Sequence, residues 1–525
     1  MHLTGRLQAL PLVVALLSCA TTPSTSTSTA PPKKKPPALP VSIEPRLAVP
    51  TALTPTHPPT LLRGAKVMTA AGPIFARGHV LLVDGRIAEV GDGDGTAPAG
   101  AVVVDVTGKV VTPGLIDTHS HMGVYPSPST ESNADGNEVG SPRTPEVWSE
   151  HGFWPQDASL PRALQKGITT IQVLPGSANL IGGRSSTFKL GRVGDASSTS
   201  ARALRFPGAP QGLKMACGQN PKRVYGEKGG RPSTRMGNIF AQRAAFQEAT
   251  EYRRRWQKYR RDLAAWQERH PPRLDSFAVD PAPHNDEKDA GKDEKNDVAD
   301  DPPDPPARDL GLETLADVID GKILVHNHCY RADEMNLMLD VANEFGFKIR
   351  SFHHAVEAYK LADRLAREGV AVSTWVDWWG FKMESYDGVR ENAALVHAAG
   401  GRAIMHSDSD VEVRQLNQEA AKAWAAGRRI GVSLTENDVL RWVTANPAWA
   451  LGVDQQTGTL EAGKMGDVVV WSGPVFSTYS KPELVYVDGA LAFDAAVGKE
   501  TDIDIGTTVL PLPALKGASP KAVSP

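Results

Sequence analysis

The sequence predicts an α/β protein: a (β/α)8 TIM-like barrel with a discontinuous flanking β-sandwich domain. Three features carry that expectation. Short strand-like segments separated by turn signals occur before residue 107 and again after residue 466. Between the two sets, strand-like and helix-like segments alternate, which is the pattern of a parallel sheet with helical crossovers. The 525 residues are 41% hydrophobic, ample for a large core.

Taken in order, Arg6 precedes an almost wholly apolar stretch, Leu7 to Leu17, which ends at Ser18-Cys19. A basic start and a short apolar run read as an export signal, too short to span a bilayer. Leu16-Leu17-Ser18-Cys19 resembles a bacterial lipobox, in which Cys19 is lipidated. Residues 1–19 are therefore expected to be a lipoprotein signal peptide. Residues 20–60, rich in Thr, Ser and Pro, are expected to be a tether. The expected address is the bacterial cell envelope, periplasmic or outer-membrane, with membrane contact only through the lipid anchor.

Residues 61–112 form the first part of the sandwich: Leu61 to Val67, His79 to Val83, Arg86 to Val90 and Val102 to Val106. Asp84-Gly85 and Gly91-Asp92-Gly93 are turns between them. Residues 113–440 form the barrel. Its β-like runs are the segment ending at His121, then Ile168 to Leu174, Gly212 to Ala216, Lys322 to His326, Lys348 to Phe352, Val370 to Trp375 and Arg402 to His406. Helices are expected over Thr234 to Arg269, Ala332 to Phe345, Ala355 to Glu368 and Val411 to Ala426. Within the barrel, residues 271–308 are rich in Pro, Asp, Glu and Lys and read as a disordered surface insertion. Residues 441–495 complete the barrel and return to the sandwich, through Asp467 to Trp471, Leu484 to Val487 and Ala490 to Phe493. Residues 496–525 are a tail.

Composition narrows the function. With 57 basic and 60 acidic residues the net charge is -3, so no nucleic-acid partner is expected. The three cysteines, Cys19, Cys217 and Cys329, exclude a disulfide framework, and Cys217 and Cys329 are expected as buried thiols. The polar, glycine-rich stretches Gly176 to Asn179 and Gly182-Gly183-Arg184 read as one loop. It lacks the Gly-Lys-Ser/Thr ending of a nucleotide cradle.

The histidines fall where chemistry is expected. His119 and His121 close one β-like run, and alternate residues of a strand share a face, so both imidazoles aim at one point. His326, His354 and Asp408 follow at later strand ends. In a parallel barrel those ends converge on one mouth. Neutral imidazoles and a carboxylate meeting there suit a borderline divalent ion such as zinc.

The chain resembles the metal-dependent amidohydrolase superfamily, and its imidazolonepropionase-like branch in particular, over about Leu61 to Asp494. The resemblance rests on "VTPGLIDTHSHMG", "GITTIQVLPGSAN", "VHNHCYRADEM", "HHAVEAYKLADRLAREGVAVS", "HSDSD" and "TANPAWALGVDQQTGTLEAGKMGDVVVWS". It implies one or two divalent ions, zinc first among them. His119 and His121 would hold the more buried ion, and His326 and His354 a second. Asp408 would contact a metal and accept a proton from water. Lys214 resembles the family's carbamylated bridging lysine; an ion-paired lysine or a charge contact to substrate is the competing reading. Lys189 is a weaker candidate for the same role. By strand alternation His328 shares a side with His326 and reads as an orienting or substrate-contacting residue, while His353 points away from His354. His406 is open between the mouth and the core. Asn179, Arg223, Tyr225 and His328 are the candidate substrate contacts.

The expected activity is hydrolysis of a non-peptide or acyl-amino-acid C–N bond in a small-molecule amide: a cyclic amide, an N-acyl amino acid or a dipeptide-like compound. A lactonase or esterase, and a non-catalytic ligand- or metal-binding surface lipoprotein, are the alternatives. Barrels of this kind often pair, so a homo-oligomer is also an expectation.

Overall fold

The computed structural model describes residues 57–191, 200–271, 301–378 and 380–497. The signal peptide with Cys19, most of the tether, most of the 271–308 insertion and nearly all the tail lie outside the described residues.

Two eight-stranded sheets organise the chain. The first joins sequence-distant strands: β1 (Thr60–Met68), β2 (Ile74–Val83), β3 (Arg86–Asp92), β4 (Val102–Asp105) and β5 (Val110–Pro113) with the three last strands of the chain. The seam is β5 against Val468–Trp471, antiparallel, with Val469 opposite Thr112. These segments are rich in valine, whose branched side chain suits a pleated surface buried on both sides. Leu62, Val67, Val80, Val111, Val468 and Val470 form the core beneath them.

The second sheet is the barrel, nearly closed: β6 (Leu115–Ser120), β7 (Ile168–Val173), β8 (Ile181–Lys189), β9 (Gly212–Ala216), β10 (Leu324–Cys329), β11 (Ile349–His354), β12 (Ala371–Thr374) and β13 (Arg402–Met405). It departs from the expected pattern once. β8 runs antiparallel to both β7 and β9. Gly182, Gly183 and Arg184 therefore belong to a strand and not to a loop, and Arg184 is buried against Thr314 and Gln211. The reversal also sends the end of β8 to the face opposite the mouth. Three last strands follow: β14 (Val468–Trp471), β15 (Pro482–Val487) and β16 (Ala490–Asp494).

Between β6 and β13 the ring is stitched by side chains and by backbone bonds to another segment. Asp117 accepts from the backbone N–H of Ser407 (3.1 Å) and from its hydroxyl (2.5 Å). Asp408 N–H donates to the His119 carbonyl (2.9 Å). Ile116 and Met405 N–H donate to the Val443 and Trp442 carbonyls below. These bonds fix β6 and the Asp408 turn relative to each other.

A disulfide joins Cys217 and Cys329, correcting the expectation of two buried thiols. The residues stand 112 positions apart in sequence, but β9 and β10 are parallel neighbours and bring their Cα atoms to 5.2 Å.

Candidate metal centre

The mouth is built from the strand ends of β6, β9, β10 and β11 and the turn after β13. His121 Nδ1 lies 2.8 Å from the Leu174 carbonyl. A carbonyl can only accept, so Nδ1 carries the proton and Nε2 is a free lone pair. That Nε2 faces Asp408 Oδ1 at 3.1 Å, and His119 Nε2 lies 3.4 Å from the same oxygen. Two trios bring their ligand atoms within 4.8 Å of one another: His119, His121 and Asp408, and His119, His354 and His406.

Lys214 on β9 reaches the same point, with Nζ 3.2 Å from His119 Nε2. It is fully buried, and among the described residues no carboxylate pairs with it. Burial draws its pKa down to about 8, with the charge of Asp408 opposing.

The next layer is histidine on histidine. His119 Nδ1 is 2.9 Å from His353 Nδ1, and His353 Nε2 is 3.0 Å from His326 Nδ1. If His119 offers its Nε2 lone pair to an ion, its Nδ1–H donates to His353, and His353 Nε2–H donates to His326. Such a relay fixes tautomer and ring orientation. His328, two residues beyond His326, stands 4.4 Å from His354 between ring centres. Both its ring nitrogens are buried without a hydrogen-bond partner, as is His354 Nδ1. His406 Nε2 accepts from the His354 backbone N–H (3.2 Å).

Strand alternation put His353 away from the site, and the structure puts it inside. His354 has φ 70° and Ala355 φ 39°, so the chain leaves its strand at His354 and alternation fails there. Asp408 also has a positive φ, 57°. Left-handed backbone in non-glycine residues is costly and is held by its surroundings, a pattern common at functional sites.

Electrostatics fit the donor set. Burial first, then neighbouring charge, holds His119, His328, His353 and His354 well below the ordinary imidazole range. Burial takes His326 and His406 to about 3. Burial works to raise Asp408, but the hydrogen bond and charge of His121 and the charge of Lys214 outweigh it and keep the carboxyl below its usual value. Neutral nitrogens with an ionised oxygen are what a zinc-like ion binds. The buried, unpartnered ring nitrogens show that the residues fit such an ion.

The other candidates separate. Asn179 Oδ1 accepts from the Tyr225 hydroxyl (2.6 Å), and its Nδ2 donates to Thr144 (2.8 Å), so these two side chains are satisfied against each other and the segment before β7. Arg223 lines an open cavity of about 590 Å³. Lys189, at the far end of β8, is ion-paired with Asp467 and Asp488, which removes it from the mouth. Asp117, Tyr330 and Trp375 were not singled out from sequence. The rings of Tyr330 and Trp375 lie 5.1 and 4.3 Å from that of His354. A Tyr two residues beyond His328 was the available signal.

Comparison with known proteins follows the same line. A model described as the amidohydrolase family matches residues 312–495. A solved structure of an amidohydrolase from Thermotoga maritima MSB8 is 31% identical, with TM-score 0.68, over 83% of this chain and 100% of that one. The chain belongs to the amidohydrolase family. It is also 31% identical to amidohydrolase tasK of Hapsidospora irregularis over 470 residues, 84% of this chain. The chain spans 44% of that relative's length. A shorter stretch of 62 residues, 12% of this chain and 14% of the relative, is 42% identical to a dihydroorotase of Citrifermentans bemidjiense. This amidohydrolase centre thus has a barrel-and-sheet frame matched along its length by a solved relative.

Proposed function

We propose that this chain is a metal-dependent amidohydrolase that splits a non-peptide or acyl-amino-acid C–N bond in a small cyclic amide, N-acyl amino acid or dipeptide-like compound. The observation that carries the reading is the meeting of His119, His121 and Asp408 with a second set of buried, unpartnered histidine nitrogens beside it. His119, His121 and Asp408 would hold one ion. His354, with His326 or its neighbour His328 from β10, would hold a second, since each of the three has a buried ring nitrogen without a hydrogen-bond partner.

A divalent ion bound there supplies a Lewis acid that brings water toward a neutral pKa and polarises a carbonyl. Asp408, ionised and fixed by the His119 carbonyl, takes the proton from the attacking water and returns it to the leaving nitrogen. His121 is aimed by Leu174 and His119 by His353, and the backbone of His354 is tied to His406 through its N–H. Lys214, buried with no carboxylate paired to it among the described residues and with a lowered pKa, is suited to lose its proton and take up carbon dioxide. The product is a carbamate, a carboxylate that could ligate an ion, and two protons are released in all: one from the ammonium and one as the N–C bond forms.

Exported, lipid-anchored residence at Cys19 is part of the reading. It is supported by the apolar run before Cys19 and by the Cys217–Cys329 disulfide, a bond that persists in oxidising compartments.

Elemental analysis of the purified chain, beside hydrolysis of N-acyl amino acids, dipeptides and cyclic amides, tests the proposal. One or two ions per chain are expected, with kcat falling on the order of 10³-fold in Asp408→Asn. A chain that takes up neither zinc nor manganese would sink it.

A further inference from the structure

Beside the metal centre lies the cavity of about 590 Å³ lined by Lys222, Arg223, Arg235, Arg331, Glu227 and Glu384, among others. Four of these side chains are cationic and two anionic. Arg235 is held by Glu334 and Glu384, and Arg331 by Asp333. Among the described residues, Lys222 and Arg223 have no ion pair and no side-chain hydrogen bond. They are side by side on the short helix Gln219–Gly226 and face the same opening.

A chain of contacts ties this cavity to the chemistry. Lys382 Nζ sits 3.8 Å over the Tyr330 ring. That ring lies 5.1 Å from both His328 and His354, and Lys382 heads the charges acting on His328. Lys382 is paired with Glu384 Oε1 at 2.7 Å and stands 3.4 Å from Asn220 Oδ1. Glu384 is also committed on its other oxygen, to the Gln219 N–H (2.8 Å) and to Arg235 (3.3 Å). Gly218, at φ 82°, leaves room for it; a Cβ there would lie 2.6 Å from Glu384 Oε2. One carboxylate therefore serves two cations and a backbone donor, and among the described residues no carboxylate pairs with Arg223.

We propose that Arg223, assisted by Lys222, binds a carboxylate carried by the substrate outside the scissile C–N bond, with Lys382 lining the path from that anchor to the metal centre. The substrate class is then an amide acid, such as an N-acyl amino acid, in preference to a neutral amide. Arg223 offers the two parallel N–H groups that match a carboxylate. The inference rests on the hydrolase reading only for which mouth the substrate enters. Around His354 the metal centre is aromatic: Trp375 stacks on His354 at 4.3 Å and on Trp378 at 5.1 Å. An aromatic acyl group is therefore a suitable probe.

N-benzoylglycine and its neutral carboxamide would be titrated calorimetrically into the zinc-loaded full chain and into Arg223→Gln, Lys222→Gln and Asp408→Asn. The acid should bind at least about tenfold tighter than the carboxamide in the wild type and in Asp408→Asn, a gap of ~1.4 kcal/mol. Arg223→Gln should remove about that tenfold for the acid and leave the carboxamide unchanged, with a smaller loss in Lys222→Gln. Equal binding of the two probes, binding of neither, or acid binding untouched by Arg223→Gln would each overturn the proposal. Acid-selective binding without any hydrolysis by the wild type would instead overturn the hydrolase reading and leave the anchor standing.

Discussion

Two lysines of the barrel are fully buried, and they have opposite surroundings. Lys189, at the end of β8, meets Asp467 at 2.8 Å and Asp488 as well, and Asp467 also accepts from Thr457 (2.9 Å) and from the Asp488 N–H (3.1 Å). Lys214, on β9, meets His119 Nε2 and, among the described residues, no carboxylate. Both stand near strand ends, and by sequence both were candidates for the same carbamate. The reversal of β8 separates them: one end faces the flanking sheet, the other the mouth. A buried ammonium with its counter-ions is a structural tie. A buried ammonium without them is held in an unfavourable protonation state, which the site can relieve by deprotonation, carbamylation or a bound anion.

Substituting each lysine by Met should give mirror-image results. Lys189→Met removes the buried cation between Asp467 and Asp488, and should cost about 3–5 kcal/mol in urea unfolding while metal content holds. Lys214→Met should stabilise the metal-free protein near neutral pH, by up to about 3 kcal/mol as the buried charge is removed, yet lower metal content and cut kcat on the order of 10²-fold or more. Intact-mass spectra of native protein should show one carbon dioxide on the wild type, absent from Lys214→Met and lost on acidification. If Lys189→Met lost metal while Lys214→Met lost only stability, the comparison would be reversed and the bridge assigned wrongly.

How much of this was readable beforehand depended on how regular the local backbone is. His119, His121 and Asp408 were legible because parallel strands deliver their ends to one mouth. β8 was not, because Gly182-Gly183-Arg184-Ser185-Ser186-Thr187 looks like loop. Its polar side chains are buried because partners such as Gln172 meet them, at 3.0 Å for Ser185. His354 came from the family resemblance; His353 was set apart from it by alternation, and left-handed backbone at His354 and Ala355 defeated that. The disulfide was invisible because only strand order brings residues 217 and 329 together.

That disulfide sharpens the contrast between the two ends of the barrel. The far end is held by the Lys189 ion triad, and the mouth by a covalent tie between the strands that carry Lys214 and His328. Replacing both cysteines by Ala removes a crosslink closing a loop of more than 100 residues, so about 4 kcal/mol of stability should be lost in unfolding titrations. A loss confined to stability, with metal affinity unchanged, would mean the bond does not help to place the ligands.

A smaller effect follows from the titration of Lys214 itself. In metal-free, carbon-dioxide-free protein its pKa is drawn from 10.5 to about 8. Below pH 8 both folded and unfolded chains are protonated, and the burial cost is felt in full. Between about 8 and 10.5 the unfolded chain still holds a proton that the folded chain has given up, so stability rises with pH, by roughly 3 kcal/mol over the window. Subtracting the same titration of Lys214→Met isolates this group. A flat difference curve would mean that Lys214 keeps an ordinary pKa.

The smallest effect tests whether Tyr225 and Asn179 belong to the mouth's frame or to its chemistry. The Tyr225 hydroxyl lies 2.6 Å from Asn179 Oδ1 and 2.7 Å from the Ser141 carbonyl, and burial raises its pKa to about 12. One O–H can donate to one of these at a time, so Tyr225→Phe loses one hydrogen bond and leaves one buried acceptor unsatisfied. The expected cost is about 1–2 kcal/mol in stability. KM for an amide acid should stay within about twofold, because neither side chain keeps a free polar group to offer a ligand. A tenfold rise in KM without loss of stability would move Tyr225 from the frame to the substrate, beside Arg223 on the same helix.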